Sequence, residues 1–354
     1  MVRAYHYFGD FDQALAFSNE ALRLYQRLDE HENVLGIAQV LINMGLVHSD
    51  KGYDNTSFNN FERAHRLLKK IYSFDHPEIS YCLAHLLFAH YHNGDYEQAL
   101  DCLLKSLQMG EPLLPTNHPH IAVVENNIGK QYYKQGKYEK ALQRFHRAVD
   151  INNTTLTHCT RNYIVLLNNI GKVFYRLKNF DEATVYYEKA LHLIEKIYSL
   201  SHDHIYLAYT LKNRGEVLFA LGDFTGALEL FEQAHNMYGR SFGQDTNHRD
   251  IAKCKHLIGL THFAIGDQDK ATEALDNALR MWINVLPQYH PDLALSHRSM
   301  ADLYTKKKGE AVKAILHYQT AISIYEKRLP IDHELLMDLK NRLMNLENEQ
   351  STTM

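Results

Sequence analysis

Histidines are the side chains of this sequence that first suggest a metal site. There are 23 of them in 354 residues, and two close pairs, His118/His120 and His202/His204, have a spacing that metal ligands can use. Both pairs fall in turns that recur with a fixed sequence period, which favours a role in capping those turns over metal coordination. We therefore predict no metal site.

The sequence patterns of common catalytic sites are absent. The chain contains no GxxxxGK[ST], GxGxxG, GxSxG or HExxH motif. Its four cysteines are widely spaced and form no CxxC pair, a pattern typical of reduced, buried thiols in a cytosolic protein. We therefore predict a protein that is not an enzyme and needs no cofactor.

Composition and charge exclude several classes of partner. The 38 Lys and Arg residues against 42 Asp and Glu residues leave a net charge of −4, so the chain as a whole lacks the positive charge that attracts nucleic acid or an anionic membrane. The uncharged stretch 33–49 is shorter than the ~20 apolar residues of a membrane span. The first residues lack the apolar core of a secretory signal. We predict a cytoplasmic location and no nucleic acid, membrane or small-molecule substrate.

An internal repeat organises the sequence. Its signature is a glycine followed two residues later by an aromatic residue and five residues later by an alanine, with degenerate copies between the clear ones. The anchors lie 42 to 44 residues apart. They are Gly9, Gly52, Gly94, Gly136, Lys178, Gly222, Gly266 and Gly309.

Each repeat contains two segments of helical length. Apolar residues recur with helical spacing, as in Ile121, Val124, Ile128 and Tyr132, so each segment is predicted to be an amphipathic helix. The anchor glycine stands where the first helix must end and the chain must reverse, since glycine adopts positive φ at little cost. Small residues such as Gly129 are expected where the paired helices approach closely.

These residues resemble the tetratricopeptide repeat, in the ~42-residue form with long helices and a DHP-like turn found in the kinesin light chain and nephrocystin-like families. The stretch 118–151, HPHIAVVENNIGKQYYKQGKYEKALQRFHRAVDI, shows the resemblance best. It implies an all-α fold, a right-handed superhelical solenoid of antiparallel helix pairs. We expect an incomplete first repeat over residues 1–30, seven repeats over 31–330, and a capping helix and tail over 331–354.

The family geometry implies which residues line the concave groove of such a solenoid. Groove positions lie on the first helix of each pair, and three central units place five cations and the anion Glu216 there, a local charge of +4 on a chain of net charge −4. Asparagines and aromatic residues recur beside the cations at intervals of 42 and 44 residues. The residues predicted to bind a peptide are Asn126, Asn127, Lys130, Tyr133, Lys134, Asn168, Asn169, Lys172, Tyr175, Arg176, Lys212 and Asn213.

Two functions are open at this stage. The first is a scaffold or adaptor that binds an acidic or acidic–aromatic peptide, with asparagine amides on the peptide main chain and aromatic residues as anchors. The second is an accessory region of a larger enzyme whose catalytic domain precedes Met1. An alternative role for the asparagines is a hydrogen bond to the adjacent helix, and for the aromatic residues partial burial between repeats.

Overall fold

Helices make up nearly all of the part of the chain that the computed structural model describes, which is residues 10–27, 33–51, 54–72, 76, 78–79, 82–83, 86, 96–112, 114–154, 161–198, 204–243, 246–327 and 333–353. No strand occurs among these residues, so the predicted all-α fold is confirmed. In chain order, the fifteen helices of these ranges are α1 (Phe11–Arg27), α2 (Val34–Asp50), α3 (Asp54–Ile71), α4 (Tyr96–Gly110), α5 (Pro119–Lys134), α6 (Tyr138–Thr154), α7 (Arg161–Arg176), α8 (Phe180–Tyr198), α9 (Ile205–Ala220), α10 (Phe224–Phe242), α11 (Arg249–Ile265), α12 (Gln268–Val285), α13 (Pro291–Lys306), α14 (Ala311–Glu326) and α15 (Glu334–Thr353).

Consecutive helices pack against each other as pairs. The pairs α2/α3, α5/α6, α7/α8, α11/α12 and α13/α14 each match one period of the sequence repeat. The helix-pair architecture inferred from the repeat is therefore confirmed. Residues 1–9 and 28–30 of the predicted incomplete first repeat lie outside the described residues, and the division into one incomplete and seven complete repeats stays a prediction.

The chain divides into two units, Met1–Asn213 and Arg214–Met354, each with its own buried apolar clusters. In the first unit, one cluster joins α2 and α3 around Leu41 and Phe61. A second cluster joins α4 to α7 around Ile128, Phe145 and Ile170, all at most 1% exposed. The helices α5 and α7, which carry four of the five predicted cations, are therefore anchored in an apolar core on one side and leave the other side open to solvent.

In the second unit, the largest cluster extends from α11 to α15 and includes Trp282, Met300 and Tyr318. The terminal helix α15 packs on it through Leu336 and Leu339, which are fully buried, whereas Leu335 is 40% exposed. This helix covers an apolar surface of the α13/α14 pair, and its role as a cap of the repeats stays a prediction.

Small residues allow the two helices of a pair to approach closely. A Cβ atom built on Gly129 would lie 2.5 Å from Cε1 of Phe145, and one built on Gly171 would lie 2.5 Å from Cε1 of Tyr187. Both distances are well inside van der Waals contact, so a larger residue would push the helices apart. The close approach predicted at these glycines is confirmed.

The reversal between the two helices of a pair uses the left-handed backbone conformation. Gly136 has a φ of 74° and Gly222 a φ of 87°. Gly266 and Gly309, at the equivalent turns, also have positive φ. Glycine adopts this conformation without the steric cost that a Cβ imposes. In the α7/α8 pair the position is occupied by Lys178 with a φ of 60°, so this turn carries strain that the others avoid.

The structure describes the side chains of two of the four cysteines. Cys82 and Cys254 are both buried and in no disulfide, as the sequence predicts. Burial raises the pKa of Cys82 to about 12, which leaves it without a reactive thiolate at neutral pH. Within the described ranges no helix is long and apolar enough to cross a membrane.

Candidate peptide-binding surface

Two adjacent helices of the first unit present the predicted basic residues together. On α5, Lys130 is half-buried and Lys134 is exposed, and on α7 the same holds for Lys172 and Arg176. Each pair is spaced four residues apart, which places its members on one face of their helix. We call the solvent-accessible surface formed by Asn127, Lys130, Tyr133, Lys134, Lys172, Tyr175 and Arg176 the α5–α7 face.

Tyrosine rings hold the basic groups of α7. The ammonium group of Lys172 lies 5.4 Å from the ring centre of Tyr133 and 5.7 Å from that of Tyr209, and it donates to the Tyr209 hydroxyl at 3.5 Å. Arg176 donates from Nε to the hydroxyl of Tyr138 at 3.1 Å. Contacts with neutral rings and hydroxyls orient a cation without cancelling its charge. These contacts orient the two basic groups of α7.

Acidic side chains are scarce on the same two helices. α7 has no Asp or Glu, and α5 has one, Glu125. The Glu125 side chain is fully buried and accepts hydrogen bonds from Arg144 at 3.2 Å and from Arg147 at 2.6 Å. Burial raises the pKa of Glu125, and the two guanidinium groups oppose that rise. The one carboxylate of α5 is thus engaged by α6 and does not neutralise the face.

The aromatic residues of the face also pack within their own helix pairs. The Tyr133 and Tyr138 ring centres are 5.9 Å apart, and so are those of Tyr175 and Phe180. Both Tyr133 and Tyr175 are half-buried. The aromatic residues therefore combine partial burial, one of the alternatives left open by the sequence, with an accessible edge that a ligand could contact.

Four of the five predicted asparagines lie buried between helices. Asn126, Asn168, Asn169 and Asn213 are exposed by 9%, 0%, 7% and 2%, respectively. Nδ2 of Asn169 donates to Oδ1 of Asn126 at 2.9 Å, and Nδ2 of Asn213 donates to Oδ1 of Asn168 at 2.9 Å. These are the interhelical bonds named as the alternative role. A peptide would reach these four amides only by displacing those bonds.

Asn127 lies on the accessible face, whereas Lys212 is buried. Asn127 is half-buried, and its Oδ1 accepts a hydrogen bond from Nζ of Lys130 at 3.2 Å, so this amide stays on the face. Lys212 is 6% exposed, with its ammonium group 4.8 Å from the ring centre of Tyr209. Burial withdraws Lys212 from the open surface, and its predicted peptide contact is not part of the face.

Tyr138 and Tyr209 are the residues of this site that the sequence-based site prediction omits. Tyr138 is the aromatic residue of the repeat signature that follows Gly136, and Tyr209 lies four residues before Asn213 on α9. Their role as partners of Arg176 and Lys172 depends on side-chain reach across neighbouring repeats, which spacing along the chain does not encode.

The histidine pairs act at helix starts. The backbone N–H of His120 donates to Nδ1 of His118 at 3.2 Å, and that of Tyr206 donates to Nδ1 of His204 at 3.3 Å. This N-cap geometry confirms the predicted capping role for these two residues. His120 itself is buried, and His202 lies outside the described residues. No group of three or more His, Cys, Asp and Glu side chains in the described ranges is arranged to hold a metal ion.

Stacked helix pairs that present such a face define a class of protein, the helical-repeat scaffold. The family profile of the tetratricopeptide repeat matches residues 82–154, 162–240, 206–284 and 250–327, and the chain belongs to this family. Repeats of this family support a role as a protein-interaction scaffold. None of the curated proteins matches the chain.

Solved structures share the fold at low sequence identity. A Rap protein complexed with competence and sporulation factor is 14% identical, with a TM-score of 0.65 over 100% of this chain and 97% of its own. A chain of the APC/C hetero-tetramer Cut9-Hcn1 is 16% identical, with a TM-score of 0.61 over 94% of this chain and 52% of that chain. A putative kinesin light chain from Podospora anserina gives 17% identity and a TM-score of 0.46 over 60% and 98%. The first two likenesses show the fold alone.

Proposed function

We propose that this chain is a non-catalytic scaffold or adaptor that binds an acidic or acidic–aromatic peptide segment on the α5–α7 face. The observation that carries the proposal is the segregation of charge. Four basic side chains project from two adjacent helices, and the single carboxylate of those helices, Glu125, is held by Arg144 and Arg147. A surface of this kind attracts an anionic ligand before contact and selects against a basic one.

The fold supports a binding role. Proteins of this family are interaction scaffolds, and one protein of the same fold, the Rap protein, is complexed with competence and sporulation factor. The face would be the same whether the chain acts alone or as an accessory region of a larger enzyme. The acidic character of the ligand rests on the charges of the face.

Charge-assisted hydrogen bonds give the expected strength. A well-desolvated bond between a carboxylate and a basic group contributes about 1.5–3 kcal/mol, and an exposed ion pair about 0.2–1 kcal/mol. Lys130 and Lys172, which are half-buried, are expected near the upper range, and Lys134 and Arg176, which are exposed, near the lower. Affinity should fall as salt is added, because the pairs are screened.

The test compares two double charge reversals. Lys172→Glu with Arg176→Glu changes the face, whereas Lys189→Glu with Lys196→Glu makes the same change of net charge at exposed positions of α8. Binding of fluorescein-labelled acidic, neutral and basic peptides of equal length is measured by anisotropy, with circular dichroism as a check on folding. We expect the first variant to lose binding of acidic peptides by at least about tenfold and the second to retain it. Equal affinities in the two folded variants would refute the proposal.

A further inference from the structure

The turn between α7 and α8 is built on a strained residue. Lys178 has a φ of 60°, and among the described residues it is the one residue other than glycine with a positive φ. The left-handed conformation is uncommon for a residue with a Cβ atom, because the Cβ crowds the backbone. An observed strain of this kind points to a functional role of the side chain that offsets it.

Glycine would serve the geometry of this turn. The backbone N–H of Lys178 donates to the carbonyl oxygen of Tyr175 at 3.0 Å, and in the preceding repeat the N–H of Gly136 donates to that of Tyr133 at 3.1 Å. A Cβ atom built on Gly136 would have no neighbouring atom within 4 Å. Neither the hydrogen bonds nor the packing of such a turn therefore requires a side chain.

The side chain of Lys178 is open to solvent. It forms no hydrogen bond, ion pair or ring contact within the part of the chain that the structure describes. Asp181 and Glu182, in the first turn of α8, are the carboxylates that follow it most closely in the sequence, and in the described ranges neither forms an ion pair with it. No such contact in these ranges offsets the strain, and the ammonium group is available to a ligand.

Lys178 lies beside the basic residues of the proposed site. It follows Arg176, the last residue of α7, by two residues, so the two Cα atoms are at most about 7 Å apart. The turn between α5 and α6 is also basic, because Lys137 stands in it and is exposed. The equivalent turns of the second unit carry Asp223 and Asp267 instead. Basic turn residues thus accompany the two helices of the α5–α7 face.

A structural role for the charge is the main alternative. A cation near the C-terminal end of a helix interacts favourably with the helix dipole. The preceding position, which Leu177 occupies at 41% exposure, would give a lysine the same interaction without a left-handed backbone. The helix dipole therefore does not explain why the lysine stands at the strained position.

We infer that Lys178 is a further binding residue of the proposed site, and that its ammonium group contacts an acidic residue of the peptide beyond the C-terminal end of α7. This inference rests on the proposed function and extends the α5–α7 face by a residue that the sequence-based site prediction omits. Lysine at this turn lowers stability and adds a positive charge at the edge of the face. That charge strengthens the attraction of an anionic partner.

The experiment separates the charge of Lys178 from its backbone conformation. Lys178→Gly removes the charge and the strain, Lys178→Ala removes the charge and keeps the strain, and Lys178→Arg keeps both. Lys196→Ala, at an exposed position of α8, controls for the change in net charge. Binding of a fluorescein-labelled glutamate-rich peptide and of its glutamine counterpart is measured by anisotropy over a series of salt concentrations. Urea denaturation of each variant reports its stability.

Binding and stability should change in opposite directions in the glycine variant. We expect Kd for the glutamate-rich peptide to rise about two- to fivefold in both the glycine and the alanine variants, because an exposed ion pair is lost. The dependence of log Kd on log salt should become shallower in both. The arginine variant and the Lys196 variant should bind as tightly as the unaltered protein. The glycine variant should nevertheless unfold at a higher urea concentration than the unaltered protein.

The outcomes separate the inference from the proposed function. An unchanged Kd in the alanine and glycine variants would place Lys178 outside the site and leave the proposed function standing. Weaker binding in the glycine variant alone would assign the effect to the backbone of the turn, and equal weakening in the arginine variant would show that the positive charge is not what binds. Either result would overturn the inference. If the glutamate-rich peptide binds the unaltered protein no better than its glutamine counterpart, the proposed function fails and the inference fails with it.

Discussion

Asn169 of α7 donates from Nδ2 to Oδ1 of Asn126 of α5 at 2.9 Å, and Asn213 of α9 makes the same bond to Asn168 of α7. In both cases the donor stands at one fixed position of its repeat and the acceptor at the preceding position of the earlier repeat. These bonds form a buried polar ladder that joins the first helices of successive repeats. Because each amide has a specific partner, the ladder fixes the register in which neighbouring repeats stack.

Removing a member of this ladder should cost stability. Asn168→Ala deletes the acceptor of Asn213 and the bond that Asn168 donates to Oγ1 of Thr210 at 2.9 Å. Since these groups are buried, we expect the free energy of unfolding to fall by about 1–3 kcal/mol in urea denaturation. Asn127→Ala is the control, because Asn127 is half-buried and its Oδ1 accepts a hydrogen bond from Lys130 of the same helix. The control should cost less than about 0.5 kcal/mol. Equal losses would show that the ladder is not stabilising.

The left-handed turn at Lys178 offers a stabilising substitution. Its φ of 60° is the conformation that glycine supplies at the equivalent turns. We expect Lys178→Gly to raise the free energy of unfolding by about 1 kcal/mol, because a Cβ in this conformation is penalised by that amount. Lys178→Ala keeps the Cβ and removes only the exposed chain, so its stability should stay close to that of the unaltered protein. A gain in the alanine variant equal to that in the glycine variant would assign the effect to the lysine side chain and not to the backbone.

The fold could be predicted from the sequence because the residues that pack one helix pair recur at the same positions in the other repeats. Gly129, whose added Cβ would lie against the Phe145 ring, and Gly136, which reverses the chain, both belong to patterns that recur in most repeats, with Lys178 as the exception at the turn. These constraints are local to one helix pair. They can therefore be recognised from spacing alone.

The site was predicted less completely, since positions that point toward a groove also lie at the contact between successive first helices. Asn127 and Asn169 hold equivalent positions in their repeats, yet the first is half-buried and the second is 7% exposed with a bond to Asn126. Lys130 and Lys172 are half-buried, and their predicted peptide contacts stay a prediction. Whether an asparagine amide is buried in a hydrogen bond depends on the residue that faces it from the previous repeat. That residue cannot be known from one repeat position considered alone.

A histidine pair should make the second unit sensitive to acid. Nδ1 of His297 on α13 and Nδ1 of His317 on α14 share a hydrogen bond at 2.8 Å. Burial, with a smaller effect from His317, lowers the pKa of His297 to about 4, and burial lowers that of His317 although Asp276 opposes the shift. Neutral imidazole is favoured in the folded state, so the unfolded state binds more protons between about pH 6.5 and pH 4.

It follows that the stability contributed by this pair is present above about pH 6.5 and is lost as the pH falls toward 4. His297→Leu should reduce the fall in free energy of unfolding between pH 7 and pH 5 by about 1 kcal/mol, after allowance for solvent screening. His192→Leu, at an exposed position of α8 in the first unit, serves as the control. An unchanged pH dependence in the His297 variant would contradict the prediction.

The aromatic and basic residues of the α5–α7 face should contribute to peptide binding by separable routes. Tyr175 is half-buried, with its ring centre 5.9 Å from that of Phe180, so Tyr175→Ala removes an apolar contact surface and no charge. We expect Kd for acidic peptides to rise about fivefold or more with the same dependence of log Kd on log salt, because screening acts only on charges. Lys172→Ala should raise Kd and also reduce that salt dependence. Thermal melts report any loss of packing in the tyrosine variant. If Tyr175→Ala flattened the salt dependence as much as Lys172→Ala does, Tyr175 would act by positioning the basic groups and not as an anchor for the peptide.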